Sequence, residues 1–343
     1  MPTIPWDKLV TFGANLLKAK GVRDDDAHYL ADLAVTSHAF GAPTHGLCVL
    51  NYFVRAIGKT VDISANPIVV RNTGSAVCID GRDGFAQLTM RLAKFHARRG
   101  ARDHGVCMVA MKDVSWCAAL GPYLIDLAQD GFLAQAWVEH SSCEDCPPFG
   151  GIDGRFSTNP AAFAIPHDPS PMVADWSTSS CSMGKVRMMK LADEMAPEPI
   201  FITDEGELSD DPHTMDRGGT MFHAGGPNFG YKGYTLSLWC EAMSILAGGY
   251  AHDPHRPAQQ AINLLVIDPD SFAGREHFRQ EMQRFVTYMK SSRPMAGYGD
   301  IRLPGEHSVE NIARARKEGL DVEDWVLKAL RQSAEETGVA CEL

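Results

Sequence analysis

The apolar pattern of this 343-residue chain changes its period along its length, and this limits the possible folds more than any other feature. The first forty residues show helical spacing, with Asp24 to Asp26 as predicted caps of a second helix. Two further helices are predicted after Ser308 and Asp321. Between these ends, the predicted strands are 68–71, 76–80, 106–111, 132–138, 162–165, 172–175 and 262–267, and the predicted helices are 88–99, 118–129 and 233–247. The pattern predicts an α/β or α+β protein, with a sheet-rich middle flanked by helical ends.

Composition excludes several classes of partner. The 43 acidic and 32 basic residues give a net charge of −11, which argues against a surface for nucleic acid or anionic lipid. No run of apolar residues approaches the roughly 18 that cross a membrane. The first residues, 1–6, carry neither the basic nor the apolar region of a signal peptide. We therefore expect a cytoplasmic globular protein that binds neither nucleic acid nor a membrane.

One cysteine pair is unusual among the 9 cysteines. Cys143 and Cys146 form a CxxC, and His140 lies three residues upstream. This is half of the ligand set of a zinc site, and a second pair at similar spacing is missing. Two free loop thiols are the simpler interpretation, so we predict no metal and keep a Cys/His metal-dependent enzyme as an alternative.

The common nucleotide-binding and hydrolase motifs are missing from the sequence. No GxGxxG follows a predicted strand, so the usual Rossmann turn is absent. The glycine-rich segment 225–233 imitates a phosphate-binding loop, but no Ser or Thr follows its lysine. No HExxH or GxSxG is found either. A nucleotide enzyme with this sequence would use a less common scaffold.

Two segments carry residues suited to acid–base chemistry. His45 stands between Thr44 and Gly46, with a hydroxyl on one side and space on the other, as a proton donor or acceptor requires. Asp175 ends a predicted strand and leads into a run of hydroxyls, where it can orient a catalytic group. A loop histidine and an Asx-type turn are the structural alternatives.

Other segments are typical of ligand contacts or of simple turns. Asn159 precedes a proline, which favours extended backbone and would leave its amide free to meet a ligand. Lys232 precedes the apolar helix 233–247, which we expect to be buried, and has glycines on both sides. The segment 303–306 reads as a turn ending in an acid.

Taken in order, these segments resemble one family. The segments THG at 44–46, STNP at 157–160, DWSTS at 175–179, YKGYTLSLWCE at 231–241 and LPGE at 303–306 are similar to those of the malate/L-lactate dehydrogenase type 2 family. This family includes ureidoglycolate dehydrogenase, sulfolactate dehydrogenase, diketogulonate reductase and Δ1-piperideine-2-carboxylate/Δ1-pyrroline-2-carboxylate reductase. The resemblance covers essentially the whole chain.

The resemblance implies a non-Rossmann NAD(P)-binding fold, with a mainly antiparallel mixed sheet flanked by helical regions, in a homodimer. It implies reversible hydride transfer between nicotinamide and a small anionic substrate, either a 2-oxo acid or a cyclic 2-imino acid. His45 takes the role of proton donor, with Asp175 beside it as the second catalytic residue. The implied cofactor-binding residues are His140, Thr158, Asn159, Asp175, Ser177, Thr178, Ser179, Lys232, Gly233, Pro304, Gly305 and Glu306. The sequence leaves the choice between NAD and NADP open, because Lys185, Arg187 and Lys190 are all candidates to meet a 2′-phosphate.

The implied substrate side departs from the family. Val49 stands where many members have an arginine that grips the substrate carboxylate, and Trp116 replaces a second histidine. With Thr44 and Tyr231 these residues form the predicted substrate site, whose aromatic character favours a cyclic imine. A nucleotide-binding relative that has lost catalysis is the alternative.

The resemblance also divides the chain. We predict a helical domain from both chain ends, 1–72 with 290–343, and a sheet-rich cofactor-binding domain over 73–232. The remaining segment, 233–289, is expected to pack on the substrate side.

Overall fold

The computed structural model describes residues 1–250 and 259–343, so 251–258 of the predicted 233–289 segment lie outside the described residues. The helices are α1 (Trp6–Ala19), α2 (Asp24–Ala39), α3 (Cys48–Ala56), α4 (Ala86–His104), α5 (Gly121–Gln129), α6 (Met183–Ala192), α7 (Gly226–Phe229), α8 (Tyr231–Ala247), α9 (Arg275–Lys290), α10 (Glu306–Glu318) and α11 (Asp324–Thr337). The strands are β1 (Thr3–Ile4), β2 (Ile68–Asn72), β3 (Ala76–Gly84), β4 (Val106–Val114), β5 (Leu133–His140), β6 (Ala161–Ile165), β7 (Met172–Trp176), β8 (Phe201–Ile202), β9 (Leu208–Ser209), β10 (Thr220–Met221), β11 (Gln260–Ile267) and β12 (Leu320–Asp321).

A seven-stranded mixed sheet forms the centre of the protein. Its strand order is β2-β3-β4-β11-β5-β6-β7. The β3–β4 pair is parallel and is joined by α4, because parallel neighbours need a long crossover connection. The other neighbouring pairs are antiparallel. All seven strands predicted from the sequence are present, and the expectation of a mainly antiparallel mixed sheet between helices is confirmed.

The two faces of the sheet are packed differently, because successive side chains of a strand point to opposite faces. On one face, Val109 and Met111 of β4 belong to the large apolar core beneath α4 and α5. On the other face, the small side chains of Ala110 and Ala261 pack against Ala247 of α8. These small residues let α8 lie close against the sheet.

The expectation that the apolar helix α8 is buried is only half right. The side toward the sheet carries mainly small residues, such as Ser237 and Ser244. The large apolar side chains point away from it, with Trp239 52% and Leu246 65% exposed. No helix in the described chain is long and apolar enough to cross a membrane. An apolar face of α8 therefore stays open in the single chain.

The two ends of the chain form one helical body. Strand β1 pairs with β12, which joins the N-terminal segment to residues near the C-terminus. Side chains from α1, α2, α3 and α11 share one apolar core, in which Leu9, Leu50 and Leu330 are fully buried. The predicted domain boundaries at 72, 232 and 289 stay predictions.

Two predicted helix caps are wrong. Helix α2 begins at Asp24 itself and has no side-chain cap, because Asp26 is buried and pairs with Arg23 and Arg91 instead. Asp321 lies in β12, where the pairing with β1 holds it, and α11 begins three residues later. In both places an interaction with a distant segment replaces local capping.

A third apolar cluster lies outside the two main cores. Strands β8, β9 and β10 form a small antiparallel sheet, and α6 packs beside it. Val186 of α6, Phe201 of β8 and Met221 of β10 are fully buried in this cluster. The cluster holds α6 against the rest of the chain.

The shared core of the chain ends predicts that its members stabilise the whole helical body. Replacing the fully buried Leu330 with alanine leaves a cavity, so we expect Leu330→Ala to lower the free energy of unfolding by about 2–5 kcal/mol. Urea denaturation measures this change. The matched control is Leu191→Ala, at a position 68% exposed, which is expected to change the free energy by less than about 0.5 kcal/mol. Equal stability of the two variants would contradict the shared core.

Candidate active site

His45 is held on a tight turn that follows α2. Residues Pro43–His45 form a single 3₁₀ turn, and Gly46 ends it. A Cβ on residue 46 would lie 2.6 Å from Cα of His38, so only glycine lets the turn pack against α2. The Nδ1 atom of His45 is hydrogen-bonded to Oγ1 of Thr44 at 2.9 Å. Within the described residues no protein group hydrogen-bonds Nε2, which leaves that nitrogen for a ligand.

The surroundings of His45 keep its ring neutral at pH 7. Burial, together with the positive charge of Arg187, lowers the pKa of His45 to about 4. A ring with so low a pKa binds a proton only weakly at neutral pH. His45 therefore needs a negative charge beside it before it holds a proton at neutral pH.

An aromatic wall stands next to His45. The Trp116 ring lies with its centre 5.3 Å from that of His45, and Tyr52 packs edge-on against Trp116 at 5.2 Å. The backbone carbonyl of Trp116 accepts a hydrogen bond from Nε2 of Gln87 at 3.0 Å. The structure thus brings together Thr44, His45 and Trp116, three residues predicted separately from the sequence.

Asp175 holds the segment that carries Trp116. Its Oδ2 atom accepts hydrogen bonds from the N–H groups of Leu120 and Gly121, both at 2.8 Å, at the start of α5. Burial raises the pKa of the Asp175 carboxyl to about 6, although the two hydrogen bonds lower it. Within the described chain no hydrogen bond joins Asp175 to His45. The carboxylate supports the wall of the site rather than the imidazole directly.

The segments with implied cofactor contacts meet along β7. The N–H and the hydroxyl of Thr178 both donate to the carbonyl of Thr158, at 3.0 and 3.1 Å. A Cβ on Gly233 would lie 2.6 Å from the carbonyl oxygen of Thr178, so the start of α8 also reaches this place. At the other end of β7, the N–H of Val173 donates to the carbonyl of Pro304 at 3.0 Å. Residues distant in the sequence thus line one strand.

Asn159 is engaged inside the protein. It is fully buried, its Nδ2 donates to Ser237 Oγ at 2.9 Å and to Glu241 Oε1 at 2.8 Å, and its Oδ1 accepts from Ser157 Oγ at 2.7 Å. Its φ of 35° is left-handed, so the expectation of extended backbone before proline is wrong. Asparagine tolerates this conformation, and the network fixes it.

Among the remaining implied cofactor residues, Lys232 differs from the others because no ion pair within the described residues neutralises its charge. Its Nζ lies 5.5 Å from the ring centre of Phe229 and 5.9 Å from that of Tyr231, and no carboxylate in the described chain forms an ion pair with it. Three others have internal partners: Ser177 and Ser179 donate to the carbonyls of Ser179 and Cys181, and Glu306 pairs with Lys290. Gly305, with φ 75°, lies too close to Val173 for any side chain.

The CxxC segment does not assemble a metal site. The Nδ1 atom of His140 lies 3.3 Å from Sγ of Cys143 and 3.2 Å from Oγ of Ser142. Cys146 is instead buried in the third apolar cluster, beside Phe156. Within residues 1–250 and 259–343, no group of three or more His, Cys, Asp or Glu side chains is placed to hold a metal ion.

The positions of Val49 and Arg187 differ from the expected arrangement of the substrate side. Val49 is 2% exposed in the helical core, which closes it off from a dissolved ligand. Arg187 lies on α6, a helix that the apolar pattern did not predict, and its charge reaches His45. A helix over 183–192 is signalled by Ser182, whose hydroxyl caps it by accepting from the N–H of Lys185 at 3.2 Å.

Comparison with known proteins gives one consistent result. A family model described as malate/L-lactate dehydrogenase matches residues 4–331. The malate dehydrogenase of Pyrococcus horikoshii is 28% identical over 98% of this chain and 96% of its own. The solved structure of malate dehydrogenase from Pyrococcus horikoshii aligns with a TM-score of 0.88 at 26% identity, and the alignment covers 99% of this chain and 96% of that one. A Delta(1)-pyrroline-2-carboxylate/Delta(1)-piperideine-2-carboxylate reductase of Pseudomonas putida is 28% identical over 96% of both chains. The structure of delta1-piperideine-2-carboxylate reductase from Pseudomonas syringae has a TM-score of 0.83 at 26% identity, covering 97% of this chain and 100% of that one.

The bonds of Asp175 predict different outcomes for two substitutions. Asp175→Ala leaves two N–H groups without an acceptor and is expected to lower the free energy of unfolding by about 1–3 kcal/mol. Asp175→Asn keeps an acceptor oxygen and is expected to cost less. Because folding raises this pKa, the carboxyl's contribution to stability falls as the pH rises from 3.8 to about 6, and the asparagine variant removes that dependence. Urea denaturation across this pH range checks both, and equal losses in the two variants would refute the role.

Proposed function

The chain belongs to the malate/L-lactate dehydrogenase family and is an oxidoreductase of that type, and we propose that His45 is its proton donor. Three features of this ring support the proposal: it is partly buried, Thr44 engages its Nδ1, and its Nε2 has no protein partner in the described chain. Hydride arriving at a C=O or C=N carbon leaves negative charge on the heteroatom, which then takes a proton from a donor about 3 Å away. The open Nε2 of His45 is the atom proposed to give it.

The chemistry of the donors along β7 fits a nicotinamide dinucleotide, the cofactor type of this family's dehydrogenases. Such a cofactor supplies the hydride when it is bound. Lys232 carries the positive charge that a diphosphate requires, and it has no carboxylate partner in the described residues. The next residue, Gly233, approaches the carbonyl oxygen of Thr178. We propose that Lys232 and the partly exposed Ser177 hold the diphosphate. The buried Thr178 and Asn159 and the ion-paired Glu306 support the surrounding backbone.

The proposed substrate is a cyclic 2-imino acid. Trp116 places a large flat ring beside His45, where an aromatic surface favours a flat ring of similar size. Two of the relatives above are named as reductases of pyrroline- and piperideine-2-carboxylate. Small 2-oxo acids such as pyruvate fill such a pocket less well, so they are expected to react more slowly.

The open face of α8 supports a homodimer. Five large apolar side chains lie on it, at 42% to 65% exposure: Leu236, Leu238, Trp239, Ile245 and Leu246. A contiguous apolar surface of this kind usually marks an interface between proteins. We propose that a second copy of the chain covers it.

The central prediction concerns turnover. We expect the enzyme to oxidise NADH or NADPH faster with Δ1-pyrroline- or Δ1-piperideine-2-carboxylate than with pyruvate or oxaloacetate, as cofactor absorbance measures. His45→Ala is expected to lower kcat by about 10²–10⁴-fold, with cofactor affinity unchanged, because only proton transfer is removed. His28→Ala, which removes an exposed histidine from α2, is the control and keeps full activity.

Two outcomes would count against this function. Cofactor binding without turnover of any substrate would favour the relative that has lost catalysis. Full activity of His45→Ala would remove His45 as the proton donor. Running both cofactors in parallel also decides between NAD and NADP.

The dimer is tested by a charge on the α8 face. Leu246→Glu places a carboxylate on the open apolar surface, so we expect sedimentation analysis to show monomer where the unchanged protein shows dimer. Phe95→Glu, at another exposed apolar position on α4, is the matched control and stays dimeric. A monomeric unchanged protein would refute the proposal directly.

A further inference from the structure

Helix α6 packs directly onto the turn that carries His45. A Cβ on Gly184 would lie 2.5 Å from Oγ1 and 2.7 Å from Cβ of Thr44, so glycine is needed for this approach. Arg187 comes three residues later, on the same side of the helix. Its side chain therefore starts from the helix face that touches the neighbour of His45.

The charge of Arg187 acts on this turn and has no internal partner. Burial is the main cause of the low pKa of His45, and the charge of Arg187 lowers it further; the same charge opposes the rise that burial causes in the pKa of Cys48. Arg187 is exposed, and in the described chain no carboxylate pairs with it, whereas Lys190 on the same helix pairs with Asp216 at 2.5 Å. The guanidinium thus has no carboxylate partner in the described chain, on a helix that packs against the turn of His45.

A cation beside a proton donor is unfavourable unless an anion stands between them. Alone, Arg187 opposes the protonated form of His45. A bound carboxylate would pair with the guanidinium and remove this opposition. The two groups become compatible when an anionic ligand lies between them.

We propose that Arg187 binds the carboxylate of the substrate and so places the reacting carbon in front of His45. This inference rests on the proposed function and adds to it the residue that selects an acid. An arginine offers two parallel N–H donors to a carboxylate, which fixes orientation as well as position. Position 49, buried as valine in the helical core, supplies no charge.

The same geometry argues against Arg187 as a reader of the 2′-phosphate of NADP. That phosphate is on the adenosine ribose, at the opposite end of the dinucleotide from the nicotinamide. Hydride transfer requires the nicotinamide, the substrate and the proton donor to meet. Arg187 lies on the helix face whose Gly184 touches Thr44, the neighbour of His45, so it belongs to the substrate end.

The test measures binding of an unreactive carboxylate, pyrrole-2-carboxylate, to the enzyme saturated with its cofactor, by calorimetry. Arg187→Met is expected to weaken this binding by roughly 10- to 100-fold, the loss typical of a charged hydrogen-bonded pair. Arg187→Lys keeps the charge without the paired donors and is expected to fall between. Arg331→Met, which removes an exposed charge from α11, is the control and leaves binding unchanged.

A second arm compares Δ1-pyrroline-2-carboxylate with Δ1-pyrroline, which lacks the carboxylate. The unchanged enzyme is expected to prefer the acid in kcat/KM, and Arg187→Met to lose that preference. Cofactor affinity is expected to stay constant. Weaker NADPH binding alone would assign Arg187 to the 2′-phosphate, and unchanged carboxylate binding would overturn the inference.

The two proposals fail in different ways. If no substrate turns over but pyrrole-2-carboxylate binds and Arg187→Met weakens it, the proposed reaction fails and the anion site stands. If turnover occurs and Arg187→Met leaves both arms unchanged, the reaction stands and the anion site fails. Absence of carboxylate binding by the unchanged enzyme also overturns the inference.

Discussion

The carboxylate of Asp175 is the interaction on which the geometry of the site most depends. It joins the end of the edge strand β7 to the first N–H groups of α5. The segment before α5 carries Trp116, and two further bonds hold that segment: the N–H of Cys117 donates to Gln260 at 2.8 Å, and the hydroxyl of Tyr123 donates to the carbonyl of Cys117 at 2.7 Å. One partly buried carboxylate thus connects the strand that carries the proposed cofactor residues to the wall beside His45.

The site is assembled from parts that belong to different apolar cores. His45 follows a helix of the core formed by the chain ends, whereas β7 belongs to the sheet and α6 to the small third cluster. Gly46 and Gly184 permit the close approaches between them, since a Cβ at either would overlap a neighbour. The absence of side chains at two positions is therefore as important to this geometry as the reactive groups themselves.

Sequence patterns predicted the elements whose residues carry a clear apolar period. The predicted strands carry alternating or continuous apolar residues and are all present, and α8 and α11 end at glycines, which commonly terminate helices. Helices α6 and α9 were missed because few of their residues are buried: Val186 and Met189 in α6, and Val286 in α9. The apolar stripe that marks a helix in sequence was too weak in both. Long-range pairing also overrode local signals, as at Asp321.

The sequence predicted only part of the candidate site, because it shows which residues are close in the chain but not which distant residues they contact. Short segments such as 44–46 and 175–179 keep their chemistry within a few residues, so sequence alone could single out His45 and Asp175. It could not distinguish Asn159, whose amide is consumed by a buried network, from Lys232, whose charge stays open. Nor could it separate Arg187 from Lys190, because the difference lies in Asp216, a partner 26 residues away.

Under the proposed reaction, the low pKa of His45 connects the role of Arg187 with that of the aromatic wall. A partly buried ring near a positive charge is neutral until an anion enters, and the anion then raises its affinity for a proton. Substrate binding and proton uptake become one event, so the donor is charged only when the group that needs the proton is in place. Under this proposal the aromatic wall excludes water from the site, and the unpaired guanidinium of Arg187 selects acidic substrates.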